Sequence, residues 1–173
     1  MRALAVLAAG AACVTGAPVP TPIGSGPRYQ LAAAPVRVEA GAAIGRLDCV
    51  RGQAAPVQTH VELFADKRAL LLPTGIGVST RTGCSYPLRT ETPTGVVDSV
   101  SSAKLTTADL FAIWGQRLSA RGFAGFRGTV RAWVGGCPWS GGVGSIPLSP
   151  HGEIVLEVGG YIPPHRSFLF PRG

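Results

Sequence analysis

The sequence predicts a small single domain of the α+β class, in which short strands surround one central helix. Short apolar segments separated by turn-forming residues occupy most of the chain, which has 24 glycines and 15 prolines among its 173 residues. This composition disfavours a helical bundle and favours strands joined by turns. One segment near the middle has the helical period instead, and strands on both sides of a single helix are typical of an α+β domain.

The helix is predicted to run over residues 107–120. Thr106 is a suitable N-cap, and Asp109 three residues later completes an acidic variant of the capping box. Leu105 and Leu110 have the spacing of a hydrophobic staple. The residues that share one apolar face at helical period are Leu110, Ile113, Trp114 and Leu118. Arg117 and Arg121 are predicted to lie near the helix C-terminus, where the helix dipole favours cations. Gly122 is the predicted left-handed stop of the helix.

The strands are predicted from short apolar or alternating segments on both sides of the helix. They cover residues 59–64, 69–72, 84–88 and 96–100 before it, and residues 129–134, 146–148 and 153–158 after it. The last hairpin and the strand that follows resemble the end of a ubiquitin-like β-grasp. We therefore expect the C-terminal part of the domain to be β-grasp-like.

The chain divides into four segments by composition. In residues 1–17, Arg2 precedes a short apolar run and then small residues, which is the layout of a signal peptide or lipoprotein-type leader. Residues 18–45 are rich in proline, glycine and alanine and are predicted to be a linker. Residues 46–161 form the globular domain, and residues 162–173 are a tail that either packs as an edge arm or is loose.

The leader and the cysteines together predict export. The apolar run is shorter than the roughly 20 residues of a comfortable membrane span, and a cleavage point could follow residues 10–12 or 15–17. Cys13 either leaves with the leader or is lipidated, so the protein is expected to be secreted or attached to the outer face of the cytoplasmic membrane. Cys49 and Cys84, which both border strand-like segments, are the expected disulfide, and Cys137 is left as a spare thiol.

The charge pattern argues against nucleic-acid binding. The net charge is +7, but the arginines stand singly along the chain, without a basic stripe and interleaved aromatic residues. A dispersed basic surface instead suits anionic polymers or lipids of a cell envelope. The expected partner is therefore an envelope protein or a surface polymer, with the membrane contacted through the N-terminus alone.

Seven blocks, in this order and spacing, resemble an uncharacterised family of exported bacterial proteins. The blocks are Leu47-x-Cys49, His60-Val61-Glu62-Leu63, Pro73-Thr74-Gly75-Ile76-Gly77, Cys84-x-Tyr86-x-Leu88, Gly95-Val96-Val97, Leu110-Phe111-x-Ile113-Trp114 and Ile146-Pro147-Leu148-x-x-His151-x-Glu153-Ile154. Members of that family carry a His-x-His-x-His strand, a Leu-His-Thr-His-Asp turn and a Gly-Ile-Ile-His-x-Glu strand. The resemblance implies an ancestral metal site, because imidazoles at alternate strand positions project to one face.

Most of the histidines of that pattern are replaced in this chain. His60 is kept, whereas Pro56 and Gln58 stand at the other two positions of the histidine strand. The residues that now occupy the turn are Leu88, Arg89, Thr90, Glu91 and Thr92. The residues at the later histidine and glutamate positions are Asp98 and Val100.

Two interpretations of this depleted site are open. In one, His60, Glu91 and Asp98 still bind a divalent transition metal weakly. In the other, which we favour, the site is lost, because Arg89 repels a cation and pairs with Glu91 or Asp98 instead. No cofactor is expected in that case.

Other polar and aromatic residues are weaker candidates. His151 follows a proline and is expected to be a turn residue, and His165 in the tail is expected to be solvated. Trp133 and Trp139 flank a glycine turn and are more often core residues than a binding face. The serines that invite a nucleophile interpretation, without a nucleophile elbow beside them, are Ser99, Ser101 and Ser102.

The sequence therefore predicts a non-catalytic exported protein of the cell envelope, a binding or interaction module with a degenerate metal site. The first alternative is a metal-binding protein that keeps a weak site of one histidine and carboxylates. The second is an enzyme of unknown reaction, for example one that uses Cys137, although no set of nucleophile, base and orienting residue can be identified. No catalytic residue is assigned.

Overall fold

The α+β class is confirmed by a computed structural model, which describes residues 13–14, 26–36, 41–100 and 104–170. These residues contain thirteen short strands and one helix, α1. The elements are β1 Gln30–Leu31, β2 Val50–Arg51, β3 Val57–Ala65, β4 Arg68–Leu70, β5 Cys84–Ser85, β6 Leu88–Arg89, β7 Val96–Ser99, α1 Thr107–Trp114, β8 Leu118–Ser119, β9 Gly122–Phe123, β10 Phe126–Arg127, β11 Arg131–Val134, β12 Cys137–Pro138 and β13 Glu153–Val158.

One large sheet organises the domain. Its strand order is β1-β4-β3-β13-β11-β12, and β7 pairs with β3 and with β6 beside this path. The two longest strands, β3 and β13, lie next to each other in parallel, with residues 60–65 in register with residues 153–158. Because β13 follows β3 by some ninety residues, the chain between them, including α1, forms the crossover that a parallel pair requires.

The two faces of the β3–β13 pair carry different residues, since side chains alternate along a strand. The apolar face consists of Val61, Leu63 and Ala65 of β3 and Ile154, Leu156 and Val158 of β13. The opposite face, which we call the polar face, consists of His60, Glu62 and Phe64 of β3 and Glu153, Val155 and Glu157 of β13. The apolar face packs in the main core with the helix residues Leu110, Ile113 and Trp114.

The start of the helix matches the prediction and its end does not. The Asp109 carboxylate accepts the backbone N–H of Thr106 at 2.8 Å, as the capping-box pattern predicts. The helix ends at Trp114, because Gly115 adopts a left-handed conformation (φ 74°) and donates its N–H to the Ala112 carbonyl at 3.1 Å. A glycine here can take this conformation at little cost.

Three predictions about the helix C-terminus are therefore corrected. Leu118 lies in β8 and not on the helix. Arg117 and Arg121 lie beyond the last turn, where they do not complement the helix dipole. Gly122 begins β9, within a small antiparallel sheet of β8, β9 and β10.

The structure pairs all four cysteines. The predicted Cys49–Cys84 disulfide is present and joins the regions of β2 and β5. Cys137 is not a spare thiol, because it forms a second disulfide with Cys13. The sulfur of Cys13 is thus engaged and cannot also carry a lipid, which corrects the lipidation candidate. The N–H of Val14 also donates to the Gly136 carbonyl at 2.9 Å.

Part of the predicted linker packs on the domain. Within residues 26–36, strand β1 pairs with β4. The indole N–H of Trp114 donates to the Ala34 carbonyl at 3.1 Å, and Gln116 donates to the Pro35 carbonyl at 2.8 Å. The apolar side chains of Leu31 and Ala34 pack against the main core, which explains why this stretch is not extended in solvent. Residues 1–12, 15–25 and 37–40 of the leader and linker lie outside the described residues.

The tail packs on the domain, but it lies over a face of the sheet and not at its edge, which corrects the predicted edge arm. We define the arm as residues 161–170, which cross the polar face, and residues 171–173 lie outside the described residues. In the part of the chain that the structure describes, no helix has the length and hydropathy to cross a membrane.

Candidate metal centre

Three buried polar side chains meet on the polar face. His60, Glu62 and Glu153 are 2%, 6% and 2% exposed. Each offers one nitrogen or oxygen atom, and the three atoms lie within 4.8 Å of one another. This is a short enough separation for one cation to contact all three.

The strand geometry explains how the three residues come together. His60 and Glu62 are two positions apart on β3 and therefore point to the same face. The parallel register places Glu153 directly opposite His60. The cluster thus depends on the pairing of two strands that are remote in sequence.

The hydrogen bonds of His60 fix its tautomer. Its Nε2 lies 2.9 Å from the carbonyl of Thr94, which can only accept, so Nε2 carries a hydrogen and donates it. Its Nδ1 lies 2.8 Å from Oε2 of Glu153. One proton is therefore shared between the imidazole and the carboxylate.

Gly95 allows the Thr94 carbonyl to reach His60. Gly95 has a φ of 86°, and a Cβ at this position would lie 2.7 Å from the Val61 carbonyl oxygen and 2.9 Å from the imidazole Nε2. Both separations are shorter than side chains tolerate. A glycine is therefore required for the turn to hold the ring in this orientation.

The second oxygen of Glu153 has no partner. Its Oε1 is buried without a hydrogen bond, an arrangement that costs free energy in a protein interior. Burial raises the pKa of Glu153, and the hydrogen bond to His60 acts in the opposite direction. A bound cation would provide the missing partner for this oxygen.

The arm brings a second histidine against Glu62 at the border of the cluster. In the described part of the chain, only His60, Glu62 and Glu153 have ligand atoms that all lie within 4.8 Å of one another, so a shared metal would need His165 to move closer to the other two. Nδ1 of His165 lies 2.6 Å from Oε2 of Glu62, and the His165 side chain is 32% exposed. The hydrogen bond to Glu62 raises the pKa of His165, while burial acts against this. The prediction that His165 is solvated is therefore wrong, because the arm folds back onto the sheet.

A second ion pair on the polar face lies beside this cluster. Glu157 is fully buried and pairs with Arg131 at 3.3 Å. It also accepts the backbone N–H of Ile162 at 3.0 Å. Burial raises the pKa of Glu157, and these hydrogen bonds act against the rise.

A small cavity of about 40 Å³ adjoins the cluster. It lies beside the middle of β3. Residues 57–60 of this strand pair with β7, and residues 64–65 pair with β4. His60, Glu62 and Thr94 contribute to its wall. Its volume is of the order of a water molecule or an ion with one water.

The structure does not assemble the site predicted from the sequence. The Arg89–Glu91 ion pair is present at 3.1 Å, and the Glu91 side chain is 63% exposed. Asp98 lies opposite Arg89 in the register, but its carboxylate accepts a hydrogen bond from the Gln58 amide at 3.0 Å. Among the described residues, His60, Glu91 and Asp98 do not form a group within ligand distance.

Sequence reasoning missed Glu62, Glu153 and His165. Glu62 and Glu153 had a readable signal, since each is a carboxylate at alternating spacing within an apolar strand segment. The sequence does not indicate that these two strands pair in parallel. His165 had no signal, because the histidine in the tail reaches the cluster through the path of the arm.

Two weaker candidates behave as expected. His151 occupies an exposed turn with a φ of 53°. Trp133 is 8% exposed and packs with Phe64 and Val155 in a second apolar cluster. Ser101 and Ser102 lie outside the described residues.

No protein-family model, curated protein or solved structure matches the chain.

Proposed function

We propose that this chain is a non-catalytic exported protein of the cell envelope that binds a divalent transition metal through His60, Glu62 and Glu153. The observation that carries the proposal is the convergence of their three ligand atoms within 4.8 Å in a buried place. One imidazole and two carboxylates form a ligand set found at zinc and other transition-metal sites.

The orientation of His60 supports this proposal. A metal-ligating histidine usually donates its second ring N–H to a carbonyl or carboxylate, which fixes the ring. Here Nε2–H donates to Thr94, and Nδ1 points at the carboxylates. A metal would displace the proton shared by Nδ1 and Glu153 into solvent, so binding should weaken as the pH falls.

The environment of the same residues supports a non-catalytic role. Both ring nitrogens of His60 are bonded, so neither is available as a general base. Phe168 lies flat over the ring, with centroids 3.8 Å apart. The expected partner remains an envelope protein or surface polymer, which the net charge of +7 favours where that polymer is anionic.

Two disulfides are consistent with a protein outside the cytoplasm, where thiols become oxidised. Because Cys13 is in one of them, we expect the exported protein to keep this residue. A cleavage after residue 12 would keep it, and a cleavage after residue 17 would not. The intact mass of the exported protein distinguishes these two sites.

The strand order supports a β-grasp-like arrangement. A hairpin of β3 and β4, the helix, β11 with β12, and β13 parallel to β3 follow one another along the chain. Across the sheet the order is β4-β3-β13-β11-β12. The resemblance to the uncharacterised exported family remains a prediction from sequence.

The test is a calorimetric titration of the full oxidised chain, purified without a tag, with Zn²⁺ and Co²⁺. We expect one equivalent to bind to the wild-type protein. Glu62→Gln and Glu153→Gln keep the size of the side chain but remove a charged ligand, so each should weaken binding at least tenfold, about 1.4 kcal/mol.

The matched control is Glu91→Gln. Glu91 belongs to the site predicted from sequence but is exposed and pairs with Arg89, so this variant should bind like the wild type. The metal proposal fails if the wild type gives no binding at micromolar concentrations. It also fails if Glu91→Gln loses as much affinity as the two buried variants.

A further inference from the structure

The arm is anchored at its beginning and at its end. At the beginning, the N–H of Ile162 donates to Glu157, and the Ile162 side chain packs on the cluster that contains Phe64 and Trp133. At the end, Phe170 packs edge-on against Phe168 with centroids 5.0 Å apart. Phe170 also contacts the ring of His151 at 4.9 Å.

Between these anchors the arm places two rings on the candidate metal centre. His165 reaches Glu62 with a nitrogen–oxygen distance of 2.6 Å and lies edge-on to Phe64. Phe168 is 8% exposed and stacks on His60 with an interplanar angle of 12°. The arm therefore contributes a polar group to one side of the cluster and an apolar cover to the other.

The described contacts of His165 are the hydrogen bond with Glu62 and the edge contact with Phe64. A side chain that donates one hydrogen bond to Glu62 would satisfy that carboxylate equally well. An imidazole adds a nitrogen that can coordinate a metal once its proton is released. This chemistry distinguishes a ligand from a structural hydrogen-bond donor.

We propose that His165 is a fourth ligand of the metal centre and that the arm closes over the bound ion. The inference rests on the proposed function. It gives a donor set of two imidazole nitrogens and two carboxylates, which suits Zn²⁺ and related borderline cations. Mg²⁺ and Ca²⁺ prefer sites made of oxygen donors alone, so they should bind much more weakly.

A ligand on the arm couples metal binding to arm closure. A metal that binds the closed arm more tightly than the open arm must stabilise the closed arm by the same factor. The exposed Arg166 lies next to His165 and gives a convenient reporter, since trypsin cleaves after arginine where the chain can open locally. Zn²⁺ should therefore slow tryptic cleavage at Arg166.

The experiment compares His165→Asn with His151→Asn in the full oxidised chain. Asparagine at 165 can still donate an amide N–H to Glu62, so the fold and the arm contact are kept while the imidazole is lost. Asparagine at 151 tolerates the left-handed backbone of that turn. The measurements are the Zn²⁺ dissociation constant by calorimetry, the visible spectrum of the Co²⁺ complex, and the rate of cleavage at Arg166 with and without Zn²⁺.

We expect His165→Asn to bind Zn²⁺ at least tenfold more weakly, with an altered Co²⁺ spectrum and no metal protection at Arg166. We expect His151→Asn to keep the wild-type Zn²⁺ affinity and Co²⁺ spectrum. Because the His151 ring contacts Phe170, we expect its cleavage without metal to be equally fast or faster, but Zn²⁺ should slow cleavage at Arg166 by the same factor as in the wild type. If the wild type binds Zn²⁺ and His165→Asn binds it equally well, His165 is not a ligand and this inference is overturned while the proposed function stands. If the wild type does not bind, the proposed function itself fails.

Discussion

Both faces of the β3–β13 strand pair are buried, but by different physical means. On the apolar face, Val61, Leu63 and Ile154 are at most 2% exposed and pack against α1. On the polar face, the three carboxylates and His60 are nearly as buried, and the arm covers them. Apolar burial stabilises a fold without strict geometry, whereas each buried charge needs a partner in a defined place.

The contrast shows that the polar face is the less stabilising of the two faces. A parallel strand pair that is covered on both sides could be apolar on both sides. Instead, one face of the β3–β13 pair carries three glutamates and a histidine. A well-packed apolar set in their place would be at least as stable by the usual balance of desolvation and pairing. The proposed metal-binding function would account for this polar face.

The largest expected effect lies on the apolar side. Trp114 is fully buried in the main core, so Trp114→Ala should lower the free energy of unfolding by about 4 kcal/mol. Urea denaturation followed by circular dichroism measures this change. Leu169→Ala is the control, because Leu169 is 56% exposed on the arm and should change stability by less than about 0.5 kcal/mol. Equal losses in the two variants would contradict the assignment of the core.

An intermediate effect is expected on the polar face, and it should not be additive. His60→Leu alone leaves Glu153 buried without its partner, and Glu153→Leu alone leaves His60 without its partner. Each should cost about 3 kcal/mol, whereas the double variant should be close to the wild type. A double-mutant cycle in urea measures the coupling. Additive losses would show that the pair contributes to stability as an ordinary core contact does.

The smallest expected effect is a change in pH dependence. The pKa of Glu157 is raised by burial above its ordinary value of 4.5, so the folded protein holds this proton more tightly than the unfolded chain does. The stability that Glu157 contributes is present below pH 4.5 and is lost as the pH rises through the folded pKa.

The variant Glu157→Gln removes this titration. The stability of the wild type relative to Glu157→Gln should therefore decrease as the pH rises from about 4.5. Urea midpoints over a pH series measure the difference. Glu91→Gln, on the exposed Glu91, serves as the control and should show no such trend. If the wild type instead gained stability relative to Glu157→Gln as the pH rises, the buried state of Glu157 would be contradicted.

The local elements of the fold were readable from the sequence. The start of α1, its Leu110–Ile113–Trp114 face and most of the β3 and β13 positions follow from a few neighbouring residues. The end of α1 was also encoded locally, by Gly115. The prediction instead relied on Arg117, Arg121 and Gly122, which lie farther along the chain and also match the pattern of a helix C-terminus. Part of the candidate site was also named from the sequence, since the resemblance to the exported family pointed to His60.

What the sequence by itself determined is the set of short-range choices: helix start, strand alternation, and a composition suited to strands and turns. The tertiary structure decided which strands pair, that Cys13 joins Cys137, and that the arm brings His165 to Glu62. The physical reason is that local hydrogen bonds and side-chain periodicity involve residues a few positions apart. The pairing of His60 with Glu153 instead depends on the packing of the whole domain between them.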